Sequence, residues 1–255
     1  MNYIEFMREC FKQWKINGHC EYAKELNQTI GESYFDTANP HFFTGDFNSD
    51  IVLVHLNPKR NQNNWGQECK FTDFNEYMEF YSSFGSKSYG INSKRTHKSQ
   101  FDHKQIRFLK PFNILPFKNE DIYHNLETVI DKKLQLELVP FGSPDFSYHK
   151  IGIDNLEPYI LRLIDVLASR DRTFIIFCGR VFTKILSKYL VDKKHYEFKL
   201  TKKDGNPTKA NFEVINIKLN INNSELTACI APQYAKQGYP VSEYGKEIFN
   251  RYGSF

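Results

Sequence analysis

The chain has 255 residues, 40% of them hydrophobic and 25% charged, with a formal net charge of +4. This is the composition of a soluble globular protein of one large domain or two small ones, and its mild basicity permits an anionic partner without demanding one. No stretch approaches membrane-spanning length, Glu5, Arg8 and Glu9 rule out a secretory apolar segment at the start, and Cys10, Cys20, Cys69, Cys178 and Cys229 have no disulfide-framework, zinc or iron–sulfur spacing. A reduced, cytoplasmic setting without a bound metal is the expectation. The 23 Phe and 15 Tyr mostly sit among other apolar residues, which favours a dense core over stacking surfaces.

In chain order, Ile4, Met7, Phe11 and Trp14 recur at helical spacing, and Asn17-Gly18 stops the run. A second short helix is expected over Cys20 to Leu26, then irregular chain through residue 50, broken by Gly31, Pro40 and Gly45. Ile51 to Leu56 is an apolar run of strand length, predicting a strand buried on both faces that exits at Asn57-Pro58. Asp73 opens a helix with Phe74, Tyr77, Met78, Tyr81 and Phe84 along one side. From Gly85 to Gln105 apolar residues are few, and Lys94, Arg95, Lys98, Lys104, Arg107 and Lys110 cluster, so a long basic loop is expected. A second basic cluster is Lys193, Lys194, Lys199, Lys202 and Lys203. Each cluster reads either as a solvated surface or as a nucleic-acid footprint.

Leu134 to Val139 reads as a second buried strand leading into Pro140-Phe141-Gly142-Ser143. Leu156 to Leu167 reads as a helix, with Asp154 and Glu157 spaced as a capping-box variant. Phe174 to Cys178 is a third strand ending at Gly179-Arg180, and Val181 to Leu190 a further helix. Tyr196–Leu200 and Phe212–Leu219 flank the turn Asp204-Gly205-Asn206-Pro207. Leu226 to Ile230 is the last strand, ending at Ala231-Pro232-Gln233-Tyr234, and Ser242 is a candidate cap for a closing helix. Strands alternating with helices imply an α/β fold with a mainly parallel sheet, whose carboxyl-end exits share one edge where ligands bind.

The order of these exits resembles the uracil-DNA glycosylase superfamily over about residues 41–252. Leu56-Asn57-Pro58 matches the inner part of a first-strand motif of the type G-Q-D-P-Y-H or G-I-N-P-G, with His55 in place of the leading Gly. Phe174 to Arg180 is similar to the family's apolar strand followed by Gly, and Ala231-Pro232-Gln233 stands where the family often has His-Pro-Ser. Tyr244-Gly245 resembles the segment that follows. No Gly-x-Gly-x-x-Gly or Walker pattern competes. The resemblance implies a three-layer αβα sandwich with a mainly parallel four-stranded central sheet, in a single domain spanning 1–255 with residues 1–40 as an N-terminal helical extension.

The activity it implies is hydrolysis of the N-glycosidic bond of a flipped nucleotide, without metal or cofactor, by a monomer whose partner is DNA. Asn57 would orient the attacking water, since an amide cannot serve as a general base. The alternative is that Asn57 only closes a turn before proline. Phe71 would stack on the flipped base, with Trp65 and Phe141 as substitutes, or else be a core Phe. Glu137 falls where uracil-specific members carry a base-reading Asn. A carboxylate accepts from an amino group, which points to a cytosine-like or modified pyrimidine, unless Glu137 faces solvent on an edge.

Ala231 cannot donate a hydrogen bond to the departing base, so Gln233 or Tyr234 would, and His55 shares the face of Asn57 if the strand is regular. Lys59, Arg60, Arg180 and Lys236 would meet phosphates, and Tyr239 would enter the duplex as a wedge. Base-excision repair or defence against modified phage DNA would use such an activity. The changed Gly and missing His keep open a second reading, an inert glycosylase-like module that binds nucleic acid.

Overall fold

A computed structural model describes residues 1–59, 68–93, 99–114, 121–202, 204–221, 224–232, 234 and 240–255. The helices are α1 (Tyr3–Asn17), α2 (Glu21–Ile30), α3 (Phe74–Ser82), α4 (Phe84–Tyr89), α5 (Gln100–Leu109), α6 (Ile122–Lys132), α7 (Tyr148–Ile151), α8 (Ile153–Ala168), α9 (Phe182–Ile185) and α10 (Val241–Arg251). The strands are β1 (Phe43–Gly45), β2 (Ile51–His55), β3 (Leu134–Glu137), β4 (Phe174–Phe177), β5 (Leu190–Phe198), β6 (Phe212–Ile221) and β7 (Ser224–Ile230). They form one seven-stranded sheet in the order β1-β3-β2-β4-β7-β6-β5.

The α/β class holds, and the sheet is mixed, with seven strands. β4 and β7 pair in parallel, whereas β7 with β6 and β6 with β5 pair antiparallel. The reason lies in β6 and β7, which are longer than their apolar cores suggest: β6 runs to Ile221 and β7 begins at Ser224. Parallel neighbours need a crossover of about a dozen residues or more, so strands this close in sequence must turn back on each other. The hairpin around Asp204–Pro207 closes as expected, with Phe198 opposite Phe212, Tyr196 opposite Val214, and Thr201 bridged to Pro207.

The chain divides into two compact units, each drawn from three stretches of sequence. Unit 1 is Met1–Phe43, Val54–Phe80 and Leu136–Asp171; unit 2 is Thr44–Leu53, Tyr81–Gln135 and Arg172–Phe255. In unit 1, α1 is started by a capping box between Asn2 and Glu5 and stopped at Gly18 in the left-handed region. Its buried stripe is Tyr3, Phe6, Met7, Cys10, Phe11 and Trp14, while Ile4, expected inside, is exposed. The Phe6 ring meets Phe42 at 5.4 Å and Tyr159 of α8 at 5.7 Å, both edge-on. Residues 1–40 are thus packed into unit 1, contributing to its core. α8 begins after Gly152 with no side-chain cap, so the expected Asp154/Glu157 box does not form; the helix starts two residues too early for it.

Unit 2 corrects the expected basic loop. Gly85–Tyr89 lies in α4 and Gln100–Gln105 in α5, with residues 94–98 outside the described residues. Asp131 of α6 accepts from the Gly85 N–H at 2.5 Å, the Ser86 N–H at 2.9 Å and the Ser86 hydroxyl at 2.5 Å, so α4 is capped from a distant helix. α5 is capped by Ser99 on the Asp102 N–H at 3.1 Å. Its inner face opens with polar residues: Asp102 accepts from Tyr89 at 2.5 Å and Gln105 donates to Gln135 at 2.7 Å.

The run Val181–Leu190 also departs from expectation. α9 stops at Ile185, a tight turn covers Ser187–Tyr189, and Leu190 joins β5, because the backbone of 190–198 is claimed by β6. β5 is the terminal strand, with Val191, Asp192, Lys193, Lys194 and His195 exposed. α10 starts at Val241 after Pro240, so Ser242 sits within its first turn and makes no cap. The core of unit 2 gathers Leu53, Ile106, Phe108, Leu126, Ile176, Phe212, Cys229 and Tyr244. No described helix is long and apolar enough to cross a membrane.

Candidate functional site

β2 is buried along its whole length, as its apolar run predicts. Beyond its last residue the chain stays beside the exit of β3. The Leu138 N–H donates to His55 O at 2.8 Å, the Val139 N–H to Leu56 O at 2.9 Å and the Ser143 N–H to Pro58 O at 3.2 Å, and Lys59 and Ser143 form a parallel bridge. Asn57 laces the two exits together. Its Nδ2 donates to Pro58 O at 3.0 Å, Phe141 O at 3.0 Å and Ser143 Oγ at 2.8 Å.

Two of those three acceptors are carbonyls, which fixes the amide orientation: a flipped side chain would set oxygen against oxygen. Oδ1 is therefore the one polar atom of Asn57 not used in the bracket, and it can only accept. An aspartate here would face two carbonyl oxygens with a carboxylate. The loop after β3 is tied further: Ser143 donates to Asp145 O, and the Tyr34 hydroxyl donates to Asp145 O at 2.7 Å and Oδ1 at 3.0 Å. Burial, then the bond to Asp145, pushes the Tyr34 phenol from 10.0 up to about 12. The Asp36 N–H donates to Gly142 O, and the His41 N–H to Pro140 O, each at 2.8 Å.

The other expected residues of unit 1 lie around this exit to different degrees. Glu137, the last residue of β3, is 2% exposed, and its strand lies between β1 and β2, so it is neither solvent-facing nor on an edge. Its N–H donates to Phe42 O at 2.9 Å. Burial, then the negative charge of Glu137, raises the Tyr3 phenol well above its ordinary value. His55 is buried at the end of β2. Phe141 is fully buried and offers its carbonyl to Asn57.

Phe71 is 3% exposed and packs among Trp14 at 6.3 Å, Tyr77 at 5.4 Å and Phe80 at 5.5 Å, with Lys70 Nζ 5.5 Å over its ring. In this conformation its face is taken by protein. Lys59 is exposed, and Arg60 and Trp65 lie outside the described residues.

Unit 2 carries the remaining candidates. Arg180 follows β4, and its guanidinium pairs at 2.5 Å with Glu213, a nearly buried carboxylate of β6 that also holds His195 Nε2 at 2.8 Å. Ala231 is buried, its N–H donating to Phe177 O at 2.9 Å. The Tyr234 ring meets Phe108 edge-on at 4.7 Å. Gln233, Lys236 and Tyr239 lie outside the described residues.

Sequence reasoning did not find the partners Tyr34 and Asp145, whose separation of 111 residues leaves no local signal. It could have found Glu213, a charge set between Phe212 and Val214 in an apolar strand. Among the described residues no group of three or more His, Cys, Asp or Glu is arranged to hold a metal ion. No protein-family model matches the chain, and no curated protein matches it in sequence.

Proposed function

We propose that the protein is a DNA base glycosylase acting on a flipped, modified pyrimidine. The observation that carries this reading is the joined exit of β2 and β3, where Asn57 Oδ1 and the buried carboxylate of Glu137 belong to the carboxyl ends of neighbouring strands. The strand order β3-β2-β4-β7 supports it. Strands laid down on both sides of β2 are the pattern of doubly wound sheets, whose ligands bind beyond the carboxyl ends. On this reading β1 and the β5–β6 hairpin are additions to a parallel four-stranded core.

The chemistry assigned to these groups is modest. Asn57 Oδ1 accepts a hydrogen bond from a water and aims its lone pair at the anomeric carbon; the water's proton leaves to solvent or to the departing base. The rate then comes from positioning and from a water-poor setting. Glu137 reads an exocyclic amino group, and Phe71 becomes a stacking surface only if the side chains packed around its ring move aside to admit the base.

The test is base release from duplexes bearing uracil, thymine mismatches and modified cytosines, read as strand breaks after alkali. Asn57→Ala is expected to lower release by about 100-fold or more while retaining DNA binding. Ser143→Ala, which removes one anchor of the bracket and leaves Oδ1, is expected to stay within about tenfold. No release from any base on the panel, or release unchanged in Asn57→Ala, would sink the proposal. One observation favours the second reading, an inert binding module: the Asn57 amide nitrogen and the Phe71 ring are already engaged within the protein.

A further inference from the structure

Away from Asn57, unit 2 holds a cavity of about 660 Å³ lined by Arg107, Thr201, Lys202, Ser242, Glu243 and Lys246, with Pro240 and Val241 completing its wall. The three cations come from separate places: Arg107 from α5, Lys202 from the chain after β5, and Lys246 from α10. Among the described lining residues Glu243 is the one carboxylate, so three cations against one anion leave two positive charges in excess there. Neither Arg107 nor Lys246 makes an ion pair with another described residue. Their spacing is set by backbone packing. α10 crosses α5 so closely at Gly245 that a Cβ there would lie 2.0 Å from Phe108 O, and Arg107 and Lys246 are the chain neighbours of these two residues.

We propose that this cavity binds backbone phosphates of a nucleic acid. Like charges in excess over their counter-charges repel one another, and an anion is what relieves them. Arg107 offers a planar fork that matches phosphate oxygens, the lysines add mobile point charges, and the Thr201 and Ser242 hydroxyls can donate. Exposure decides between sources of phosphate. A pocket for a small phosphate ester encloses most of its ligand, and its charged lining is correspondingly buried. Here Arg107, Lys202 and Lys246 are all solvent-exposed, which suits a long polyanion passing across the opening. The assignment rests on the DNA-binding part of the reading above and not on base excision.

The test compares the wild type with the triple variant Arg107→Gln/Lys202→Gln/Lys246→Gln, whose exposed positions leave the melting curve unchanged. Binding of a labelled duplex is measured between about 50 and 200 mM salt. Each lost phosphate contact lowers the slope of log K against log salt by about 0.9, so the triple variant should lose about 2–3 from the slope and at least about tenfold in affinity at the lower salt. A wild-type slope in the triple variant overturns the pocket, whatever the enzyme assay shows. Salt-sensitive binding that drops in the triple variant upholds the pocket even if no base is released. A wild type that does not bind duplex or single strand, but whose melting temperature inorganic pyrophosphate raises, overturns the nucleic-acid assignment in favour of a small phosphate ester.

Discussion

At the residue scale, the exit loop after β3 depends on a few side chains that each satisfy several backbone groups. Tyr34 is the most readily tested. Its phenol keeps its proton in the folded chain to about pH 12, whereas an unfolded tyrosine loses it near 10.0. Below 10.0 both states hold the proton and the contribution is complete. Between 10.0 and about 12 only the unfolded state ionises, so stability falls as pH rises through that window. Tyr34→Phe is expected to cost about 1 kcal/mol at neutral pH and to lose less than the wild type over that alkaline window. Urea melts of both proteins across that range measure it, and parallel losses would show that the folded chain does not hold the Tyr34 proton beyond its ordinary range. Asn57 gives the same lesson in chemical form: its amide donates to two carbonyls where an ionised aspartate could not, whatever its oxygen does for a substrate.

At the scale of elements, the α5–α10 crossing has the least room. Gly245→Ala gains about 1 kcal/mol in helix propensity and loses about 3 kcal/mol to overpacking, because the new methyl meets backbone that cannot rotate aside. A net loss of about 2 kcal/mol is expected in chemical unfolding, and a variant as stable as the wild type would mean that α10 can slide. Elements of this kind divide what could be read in advance from what could not. β2, α1, α8 and the β5–β6 hairpin were legible because their signals are local: an unbroken apolar run, a 3.6-residue period, an Asp-Gly-Asn-Pro turn. α4 was not, because the carboxylate that caps it belongs to α6. α5 was not, because its buried face opens with Asp102 and Gln105, which read as solvent-exposed until their partners Tyr89 and Gln135 are known. In the candidate site, Asn57 and the 140–143 exit were legible as polar ends of apolar strands. The bracket between them was not, since hydrogen bonds across 84 and 86 residues leave no local trace.

At the scale of the whole molecule, each unit is assembled from three separate stretches, so neither is a contiguous piece of chain. Arg172–Phe255 carries β4 to β7 and α10, yet Leu53, Ile106, Phe108, Leu126 and Val129 of the same core come from earlier sequence. That fragment alone is expected to melt without cooperativity, and a sharp calorimetric transition would contradict the shared core. The whole chain should show it, since the apolar contacts that reward folding close only after residue 171 has been joined to the first half.

The last strand of the sheet has a bearing on how the protein lives among copies of itself. β5 ends the sheet with an open rail of amides and carbonyls, the kind of surface on which another chain could crystallise a further strand. Lys193 and Lys194 stand on it, and a register shift between Leu190 and Asp192 disturbs its start. A second molecule approaching in the same way would bring lysine against lysine over an irregular template. Lysines at such a position would oppose the addition of a further strand.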